Sequence, residues 1–413
     1  MKIIFICQNY YPLIGGVETQ ARLLAHELSK EHEVSIIGGN FYQSELPGPL
    51  KVLHENILTP SYKNYKDCNI QIYALTPSLK DRIFMLPIAI RIIPRLRRYF
   101  YHKLNRFGYI WYKKVYLSKI SKIMEGFDVV HSLAGGYLGW TAQAAAEKLD
   151  VPFVCTPYAH PGQWGCGEDD IKYYNKCNMV CALLGSDKKY LESLGVASEK
   201  IEVTGVAPIV EAVPDPEQFR RNNELGKNPF ILFIGRITEH KGVKTILESA
   251  EYVWKEIPQA YFVFIGPSTK ESKTWFKNRD KKIVYFGKVS DQEKSDALAA
   301  CDIFCMPSVS EIFPAAYLEA WSFGKPCIGG TAPGLVDLIE GNKAGMIVRQ
   351  DPQELSKCII KLLKNLALRR ELGENGKKLI ERKYNIESLK RTHLDIYKII
   401  INQKMDVLKK GSK

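Results

Sequence analysis

The stretch "FILFIGRITEHKG", residues 230–242, decides the fold of the second half of the chain. A short apolar strand is followed by a polar loop with Arg236 and Lys241, and Gly242 then allows a turn into a helix. Repeats of strand, loop and helix build a parallel sheet that helices cover on both faces. The free N–H groups of such a turn suit an anion, and two cations beside them suit a diphosphate, although a solvated basic loop is the alternative.

Strand and helix patterns alternate on both sides of this stretch. The remaining strand patterns are "KIIFIC", "EVSIIGG", "IQIYAL", "DVVHSL", "PFVCTP", "MVCALL" and "KIEVTGV" in the first half, and "AYFVFIGP", "KIVYFGKV", "DIFCMPS", "KPCIGG" and "AGMIV" in the second. We therefore expect an α/β protein with two Rossmann-like, doubly wound parallel-sheet domains facing a cleft, followed by C-terminal helices.

The domain boundaries follow from composition. The proline-rich, polar stretch 207–229 interrupts the alternation and predicts a linker. We expect a first domain at 1–208, a linker at 209–228, a second domain at 229–385, and a helix at 386–413 that packs back on the first domain. A chain of 413 residues is long enough for two domains of roughly 200 residues each.

The cysteine spacing and the hydropathy of the chain indicate the cellular environment in which it works. The ten cysteines contain no CxxC pair, which favours buried free thiols in a reducing cytosol. No apolar run approaches the roughly 18 to 20 residues of a membrane span.

A second candidate site lies in "SVSEIFPAAYLEA", residues 308–320. Pro314 is suited to the first turn of a helix, which places Glu311 in the preceding loop and Glu319 in the second turn. Carboxylates accept hydrogen bonds from paired hydroxyls, such as those of a sugar or a ribose. The alternative is that one glutamate caps the helix N-terminus.

Two loops of the first half of the chain contain the remaining candidate residues. "NYYPLIGGVE" (9–18) contains Gly15 and Gly16, which permit a positive φ and the close approach of an anion, or simply form a turn. It lacks the fingerprints of a dinucleotide site and of a P-loop. His160 lies in the loop "CTPYAHPGQ" (155–163), and a structural role is the alternative for it.

Four motifs in order, "GGVE", "GRITEHKG", "PSVSEIFPAAYLEA" with "GKP", and "APGLVDLI", resemble the motif set of family 4 glycosyltransferases over nearly the whole chain. These are retaining enzymes of the GT-B fold that use nucleotide sugars. The resemblance implies that His160, Glu311, Arg236 and Lys241 are catalytic. It implies donor binding by Gly15, Gly16, Arg236, Lys241, Glu311, Phe313, Pro314, Ala315 and Glu319, with Glu319 on the ribose. No metal is expected to be required, and no Asp-x-Asp motif occurs.

Most of the net charge of +13 lies in one segment. Residues 80–122 carry twelve Lys or Arg, one acid and nine aromatic residues. This composition is typical of helices at a membrane interface, with a solvated helix face as the alternative. No recognised nucleic-acid motif accompanies the basicity. The residues predicted to bind the membrane are Arg95, Arg97, Arg98, Lys103, Arg106, Lys113 and Lys114.

The predicted function is a retaining glycosyltransferase that moves a hexose-type sugar from a UDP- or GDP-sugar to a lipid-linked or membrane-associated acceptor, in glycolipid or surface polysaccharide synthesis. The nucleotide sugar is a co-substrate, and no other cofactor is expected. The predicted location is cytoplasmic, peripheral on the inner face of the cell membrane. The alternatives are a sugar-nucleotide epimerase of similar fold and a catalytically inactive membrane- or partner-binding relative.

Overall fold

The chain forms two compact units. The computed structural model describes residues 1–13, 15–42, 48–162, 164–210, 213–311 and 315–411, without the side chains of 48, 49, 52, 91, 94, 97, 101 and 407–411. Unit 1 contains Met1–Leu183, Asp187–Thr204 and the chain from Leu389 on, and unit 2 contains Leu184–Ser186 and Gly205–Ser388. Each unit is built around its own sheet.

Unit 1 contains an eight-stranded sheet in the order β3-β4-β2-β1-β5-β6-β7-β8. Its strands are β1 (Lys2–Asn9), β2 (Glu33–Asn40), β3 (Tyr65–Asp67), β4 (Ile70–Ala74), β5 (Val129–Ser132), β6 (Phe153–Cys155), β7 (Met179–Ala182) and β8 (Ile201–Val203). All neighbouring pairs are parallel except β3 with β4. Seven of these strands match the predicted patterns. β3 was not predicted, because its three residues "YKD" are too few to show an alternation.

Helices cover the sheet of unit 1. They are α1 (Gly16–Ser29), α2 (Gly48–Asn56), α3 (Leu79–Met85), α4 (Pro94–Met124), α5 (Gly136–Leu149), α6 (Glu168–Lys176) and α7 (Gly185–Ser193), with 3-10 turns at Leu86–Ile92 and Ser198–Lys200. Helix α4 has non-helical backbone angles at Phe100. Its C-terminal half buries Tyr112, Tyr116 and Ile120 in the core, where apolar burial stabilises the unit.

Unit 2 contains a six-stranded parallel sheet in the order β11-β10-β9-β12-β13-β14. Its strands are β9 (Phe230–Ile234), β10 (Tyr261–Ile265), β11 (Ile283–Gly287), β12 (Ile303–Met306), β13 (Cys327–Gly329) and β14 (Gly345–Ile347). All six coincide with predicted strand patterns. Together the two sheets confirm the predicted α/β architecture of two parallel-sheet units.

The helices after β8 are α8 (Pro216–Asn222), α9 (Val243–Trp254), α10 (Lys270–Lys273), α11 (Asp291–Ala300), α12 (Ala315–Ser322), α13 (Pro333–Ile339), α14 (Pro352–Lys364), α15 (Leu366–Arg382) and α16 (Ile386–Gly411), with 3-10 turns at Glu239–Lys241 and Thr274–Phe276. Helix α8 lies within the stretch predicted as a linker. It forms there because Asp215 caps its first turn and Phe219 packs on Phe230.

Helix α16 contacts unit 1 through a buried network without ionic charge. The Nδ1 atom of His131 lies 2.6 Å from the Tyr397 hydroxyl, and its Nε2 atom lies 2.8 Å from the Thr156 hydroxyl. The ring of His393 stacks on that of His131. Burial lowers the pKa of His393 to about 4 and holds the pKa of His131 well below its usual range, so both rings are neutral near neutral pH.

Candidate active site

The predicted cations and glutamates of unit 2 collect where the strand order reverses, between β9 and β12. In open parallel sheets, ligands bind at the carboxyl ends of the strands at this switch point. The loop after β9 carries Arg236 and Lys241, and the loop after β12 carries Glu311. The fold thus brings together residues that lie about 70 positions apart in the chain.

Lys241 and Glu311 form a buried ion pair. The Lys241 Nζ atom lies 2.5 Å from Glu311 Oε1, and the two side chains are 14% and 5% exposed. Gly242 makes this geometry possible, because its φ of +80° is in the left-handed region and a Cβ atom there would lie 2.5 Å from Pro307 Cγ. Lys241 is therefore held in place by a carboxylate and still has two further N–H donors for a ligand.

Backbone contacts join the same two loops. The Val309 N–H donates to the His240 carbonyl at 3.0 Å. The Gln350 amide, which follows β14, donates to the carbonyls of His240 (3.0 Å) and Pro307 (2.8 Å). Gln350 was not predicted, because nothing in its local sequence indicates a contact with residues so far away in the chain.

Glu319 forms a second buried ion pair, with Lys294 of α11. The Lys294 Nζ atom lies 2.9 Å from Glu319 Oε1, and the two side chains are 17% and 7% exposed. Burial raises the pKa of the Glu319 carboxyl group, and the positive charge of Lys294 opposes that shift. Lys294 was also missed by the sequence analysis, since a lysine in the first turn of a polar helix is typical of an exposed surface.

Arg236 differs from both lysines, because it is exposed and makes no ion pair within the described ranges. Its loop is fixed by the Ile237 N–H, which donates to the Pro267 carbonyl at 2.9 Å. Ala315 is the first residue of α12. Phe313 and Pro314 lie outside the described residues.

In unit 1, Gly15 and Gly16 lie at the start of α1. Gly15 has extended backbone angles (φ −160°), and neither glycine has a positive φ. A Cβ atom at Gly15 would meet the Glu18 carboxylate, which is the end of a flexible side chain and can move aside. Glu18 Oε1 accepts a 3.0 Å hydrogen bond from Asn9. A negative charge therefore lies beside the glycine that was expected to approach the donor phosphates.

His160 lies in a short hairpin after β6. Its N–H donates to the Trp164 carbonyl at 2.8 Å, and the two rings pack with centroids 4.8 Å apart. The exposed indole of Trp164 was not predicted, because a lone tryptophan in a loop has no periodic pattern.

Two other groups of side chains could in principle hold a metal ion, judged from the described part of the chain: His131, Cys181 and His393, and His26, Asp67 and Cys68. Neither group includes a predicted site residue. Both ring nitrogens of His131 are hydrogen-bonded, and both carboxylate oxygens of Asp67 accept from Arg22.

The basic segment presents an apolar surface together with its cations. Arg95, Arg98 and Lys103 are exposed, whereas Arg106 pairs with Asp169 at 2.9 Å. The cations of Lys113 and Lys114 lie over the rings of Tyr109 and Trp111. The side chain of Arg97 lies outside the described set.

The large apolar side chains exposed by at least 41% in this part of the chain are Leu79, Ile83, Phe84, Leu86, Ile93, Tyr99, Phe100, Phe107 and Ile110. No helix among the described residues is long and apolar enough to cross a membrane.

Two protein-family models match the chain. Residues 14–205 match the family described as Glycosyltransferase Family 4, and residues 214–379 match the one described as Glycosyl transferases group 1. Together they account for most of the chain.

Two curated relatives are named as a glycolipid synthase and a sugar transferase. Alpha-galactosylglucosyldiacylglycerol synthase of Streptococcus pneumoniae is 27% identical over 68% of this chain and 74% of the relative. N,N'-diacetylbacillosaminyl-diphospho-undecaprenol alpha-1,3-N-acetylgalactosaminyltransferase of Campylobacter jejuni is 29% identical over 67% of this chain and 69% of the relative.

Solved structures share the fold. HepE of Anabaena in complex with UDP aligns with a TM-score of 0.69 at 16% identity, covering 96% of this chain and 99% of HepE. WaaG, a glycosyltransferase involved in lipopolysaccharide biosynthesis, aligns with a TM-score of 0.63 at 14% identity over 95% and 99%. The chain is a nucleotide-sugar-dependent glycosyltransferase of the GT-B fold and belongs to family 4.

Proposed function

We propose that the chain transfers a hexose-type sugar, with retention of the anomeric configuration, from a nucleoside diphosphate donor to a lipid-linked or membrane-associated acceptor. The observation that carries the proposal is the pair of buried lysine–glutamate contacts at the switch point of unit 2. A buried charge is costly unless it is paired, so two such pairs at a ligand-binding edge favour a role with substrate.

The donor's diphosphate lies against Arg236 and Lys241 in this proposal. Departure of the diphosphate builds up negative charge, and preplaced cations stabilise that charge without reorganisation. Arg236 contributes a planar fork of donors, and Lys241 contributes the N–H groups that Glu311 leaves unused. Glu311 fixes the position of the ammonium group and accepts from hydroxyls of the donor sugar.

Glu319 takes the ribose hydroxyls. Burial raises the pKa of this carboxyl group, and the positive charge of Lys294 at 2.9 Å opposes that rise and favours the ionised form. We expect no metal to be required. Retention follows if the acceptor hydroxyl attacks on the face that the diphosphate leaves, with a departing phosphate oxygen taking its proton. His160 contacts the sugar near the reacting carbon.

Donor turnover and stereochemistry test this proposal directly. The purified chain is incubated with UDP-glucose, UDP-galactose, UDP-N-acetylglucosamine or GDP-mannose, with and without a bacterial lipid extract, and release of the nucleoside diphosphate is followed. We expect one donor to be consumed faster with the extract, and the one-bond C1–H1 NMR coupling of the product to show the donor's own anomeric configuration. An inverted product would contradict retention, and turnover to a free epimer without any acceptor would favour the epimerase.

The basic segment is the proposed membrane contact, with anionic lipid headgroups as its partner. Nine large apolar side chains are exposed between residues 79 and 110, interleaved with Arg95, Arg98 and Lys103. Cations on headgroups and aromatic rings at the acyl boundary are the two attractions that hold such a surface on a bilayer. The names of the two relatives, a diacylglycerol glycolipid synthase and a transferase acting on diphospho-undecaprenol, support a lipid-borne acceptor.

Vesicle sedimentation tests the membrane contact. We expect the chain to sediment with phosphatidylglycerol-containing vesicles and not with pure phosphatidylcholine, and reversal of charge at Arg95, Arg97 and Arg98 to weaken this binding. The matched control reverses Lys270, Lys273 and Lys277, three exposed lysines of unit 2, and we expect it to bind like the wild type. Equal binding to both vesicle types, or equal effects of the two triple variants, would refute the proposed surface.

A further inference from the structure

A cavity in unit 1 lies between strands β2 and β4 and the C-terminal part of helix α4. Its volume is about 600 Å³, within the range of roughly 300–1,000 Å³ that small-molecule sites occupy. Lys2 and Glu33, the first residues of β1 and β2, line it, so the cavity reaches the amino ends of these strands. Gly15 and His160 follow the carboxyl ends of β1 and β6 instead. The cavity is therefore separate from the predicted site residues of this unit.

Two buried hydroxyl groups line this cavity without a protein partner. The residues are Ser35, which is 5% exposed, and Tyr116, which is 2% exposed. Neither hydroxyl has a hydrogen-bond partner among the described residues. Ser35 lies on the same face of β2 as Ile37, which packs in the apolar core. A buried polar group without a partner costs free energy, so these two hydroxyls indicate a ligand that hydrogen-bonds to them.

Aromatic rings and an amide complete the lining. Tyr73 and Phe127 are half-buried, and both pack against the core of unit 1 while lining the cavity. Asn64 accepts a 3.0 Å hydrogen bond from the Ala74 N–H through its side-chain oxygen. The NH₂ group of Asn64 has no acceptor in the part of the chain that the structure describes. The cavity thus combines apolar ring surface with donors and acceptors of hydrogen bonds.

The charges around the cavity cancel, because three lysines face three carboxylates. They are Lys2, Lys119 and Lys122, with Glu33 and Glu125 on the rim and Asp81 next to Lys119. The Lys2 ammonium lies 3.3 Å from the Glu33 carboxylate. That of Lys119 lies 2.5 Å from the carboxylate of Asp81. An anion therefore gains little net attraction here, and an apolar ligand would leave the buried hydroxyls unpaired. A neutral ligand with many hydroxyl groups fits both conditions.

We propose that this cavity is a saccharide-binding site separate from the candidate active site, with room for a neutral disaccharide. The hydroxyls of Ser35 and Tyr116 and the amide of Asn64 hydrogen-bond to sugar hydroxyls. The apolar C–H faces of the sugar rings pack on Tyr73 and Phe127. This site goes beyond the proposed function, because it needs no nucleotide donor and takes no part in the transfer.

Saturation-transfer difference NMR of the full chain with maltose, cellobiose, lactose and α-1,6-mannobiose tests the site. We expect at least one disaccharide to receive saturation from the wild type. Tyr116→Phe and Ser35→Val each remove one hydroxyl at nearly constant volume and should weaken that disaccharide roughly three- to tenfold. Neither variant should lower the Tm, because the hydroxyl that is removed has no protein partner.

The matched control is the tyrosine one turn earlier on α4. Tyr112 is 5% exposed in the same core but does not line the cavity, so Tyr112→Phe should bind the disaccharide like the wild type. A cavity that holds only water would give no signal with any disaccharide, and that result refutes the site. Equal binding by Tyr116→Phe and the wild type, or equal losses in Tyr116→Phe and Tyr112→Phe, would also refute it.

Competition separates this site from the proposed function. Neither UDP nor inorganic phosphate should displace the disaccharide, and Lys241→Ala should bind it like the wild type. Displacement by UDP would place the sugar in the donor site, and displacement by phosphate would make the cavity an anion site, so each result overturns the proposal. If the chain binds a disaccharide but no nucleotide, the proposed function fails and this site remains. If it binds UDP and no disaccharide, only this site fails.

Discussion

Two buried polar clusters, one in each unit, differ in charge. The cluster of unit 2 consists of two ion pairs, Lys241 with Glu311 and Lys294 with Glu319, at the switch point of the sheet. The cluster of unit 1 is neutral and joins His131, His393 and Tyr397 between β5 and α16. Neutral hydrogen-bonded groups cost little to bury, whereas charges must be paired and are still costly.

This difference follows the place of each cluster in the fold. A neutral network is sufficient to fix a helix to a sheet. Ion pairs at a ligand-binding edge keep charge where a diphosphate or a ribose needs it. The comparison therefore predicts that substitutions in unit 2 change binding and rate, and that those in the unit 1 network change stability.

The largest expected effect comes from removing the cation of the first pair. Lys241→Ala should lower kcat/KM at least tenfold, about 1.4 kcal/mol or more, because the departing diphosphate loses a positive charge. Steady-state kinetics with the preferred donor measure this effect.

Two further variants test whether that loss comes from the missing cation. Lys241→Ala alone leaves Glu311 buried without its cation, so the double variant with Glu311→Ala removes the unpaired charge. The double variant should remain slow, because it lacks both the cation for the diphosphate and the carboxylate for the donor sugar. The partly exposed Lys244, which pairs with Glu239, is the control, and Lys244→Ala should retain wild-type turnover. Recovery in the double variant would mean that the single variant was merely misfolded locally.

The ion pair of Lys294 with Glu319 should affect how donor binding depends on pH. Glu319 accepts ribose hydroxyls only when ionised, and its pKa is raised by burial, so affinity falls as the pH drops towards that raised value. Lys294→Met removes the charge that opposes the rise, so the loss should begin at a higher pH. We expect a reduction in UDP affinity of roughly five- to tenfold at the acid end of the accessible pH range and a smaller one at the alkaline end, measured by isothermal titration.

Lys294→Arg should restore most of the affinity and the original pH profile, because it keeps the positive charge. An unchanged profile in Lys294→Met would separate Lys294 from the nucleotide site.

The neutral network predicts acid sensitivity of unit 1. The pKa of His393 is about 4 in the folded chain and near 6.5 when unfolded, so the unfolded chain binds more protons between these values. The contribution of His393 to the free energy of unfolding is therefore fully present above about pH 6.5. It is lost as the pH drops to about 4, and the loss amounts to roughly 3 kcal/mol. Thermal scans across this range should show a shallower decline for His393→Phe. The same decline in wild type and variant would contradict the assignment.

The smallest effect is expected for a neutral residue of unit 2. Gln350 donates to two loop carbonyls beside Lys241 and carries no charge. Gln350→Ala should lower kcat/KM about threefold, in line with one or two neutral hydrogen bonds, with the exposed Gln353→Ala as control. A loss as large as that of Lys241→Ala would remove the distinction between charged and neutral groups.

The sheets could be predicted from the sequence because their strands are short, rich in Val, Ile and Phe, and separated by helical patterns. The pairing of Lys241 with Glu311 could be predicted from the sequence only in part. Both residues follow strands that the order of a doubly wound sheet makes neighbours, but the sequence cannot show that they touch.

Lys294, Gln350 and Trp164 could not be found in this way. Each acts through a side chain whose partner is distant in the chain or belongs to an irregular loop, and neither case leaves a periodic signal. The conformation of Gly15 was also unexpected, because its backbone is extended and does not have the positive φ that the sequence analysis allowed for.

One measurement tests the central claim most directly: thermal shifts of the wild type and Lys241→Ala with UDP, GDP, ADP, TDP and CMP. We predict that one nucleoside diphosphate stabilises the wild type and has a much smaller effect on the variant, which would also identify the base of the donor. Stabilisation by none of them, or equal stabilisation of both proteins, would contradict a nucleotide-sugar site built around Lys241 and its glutamate.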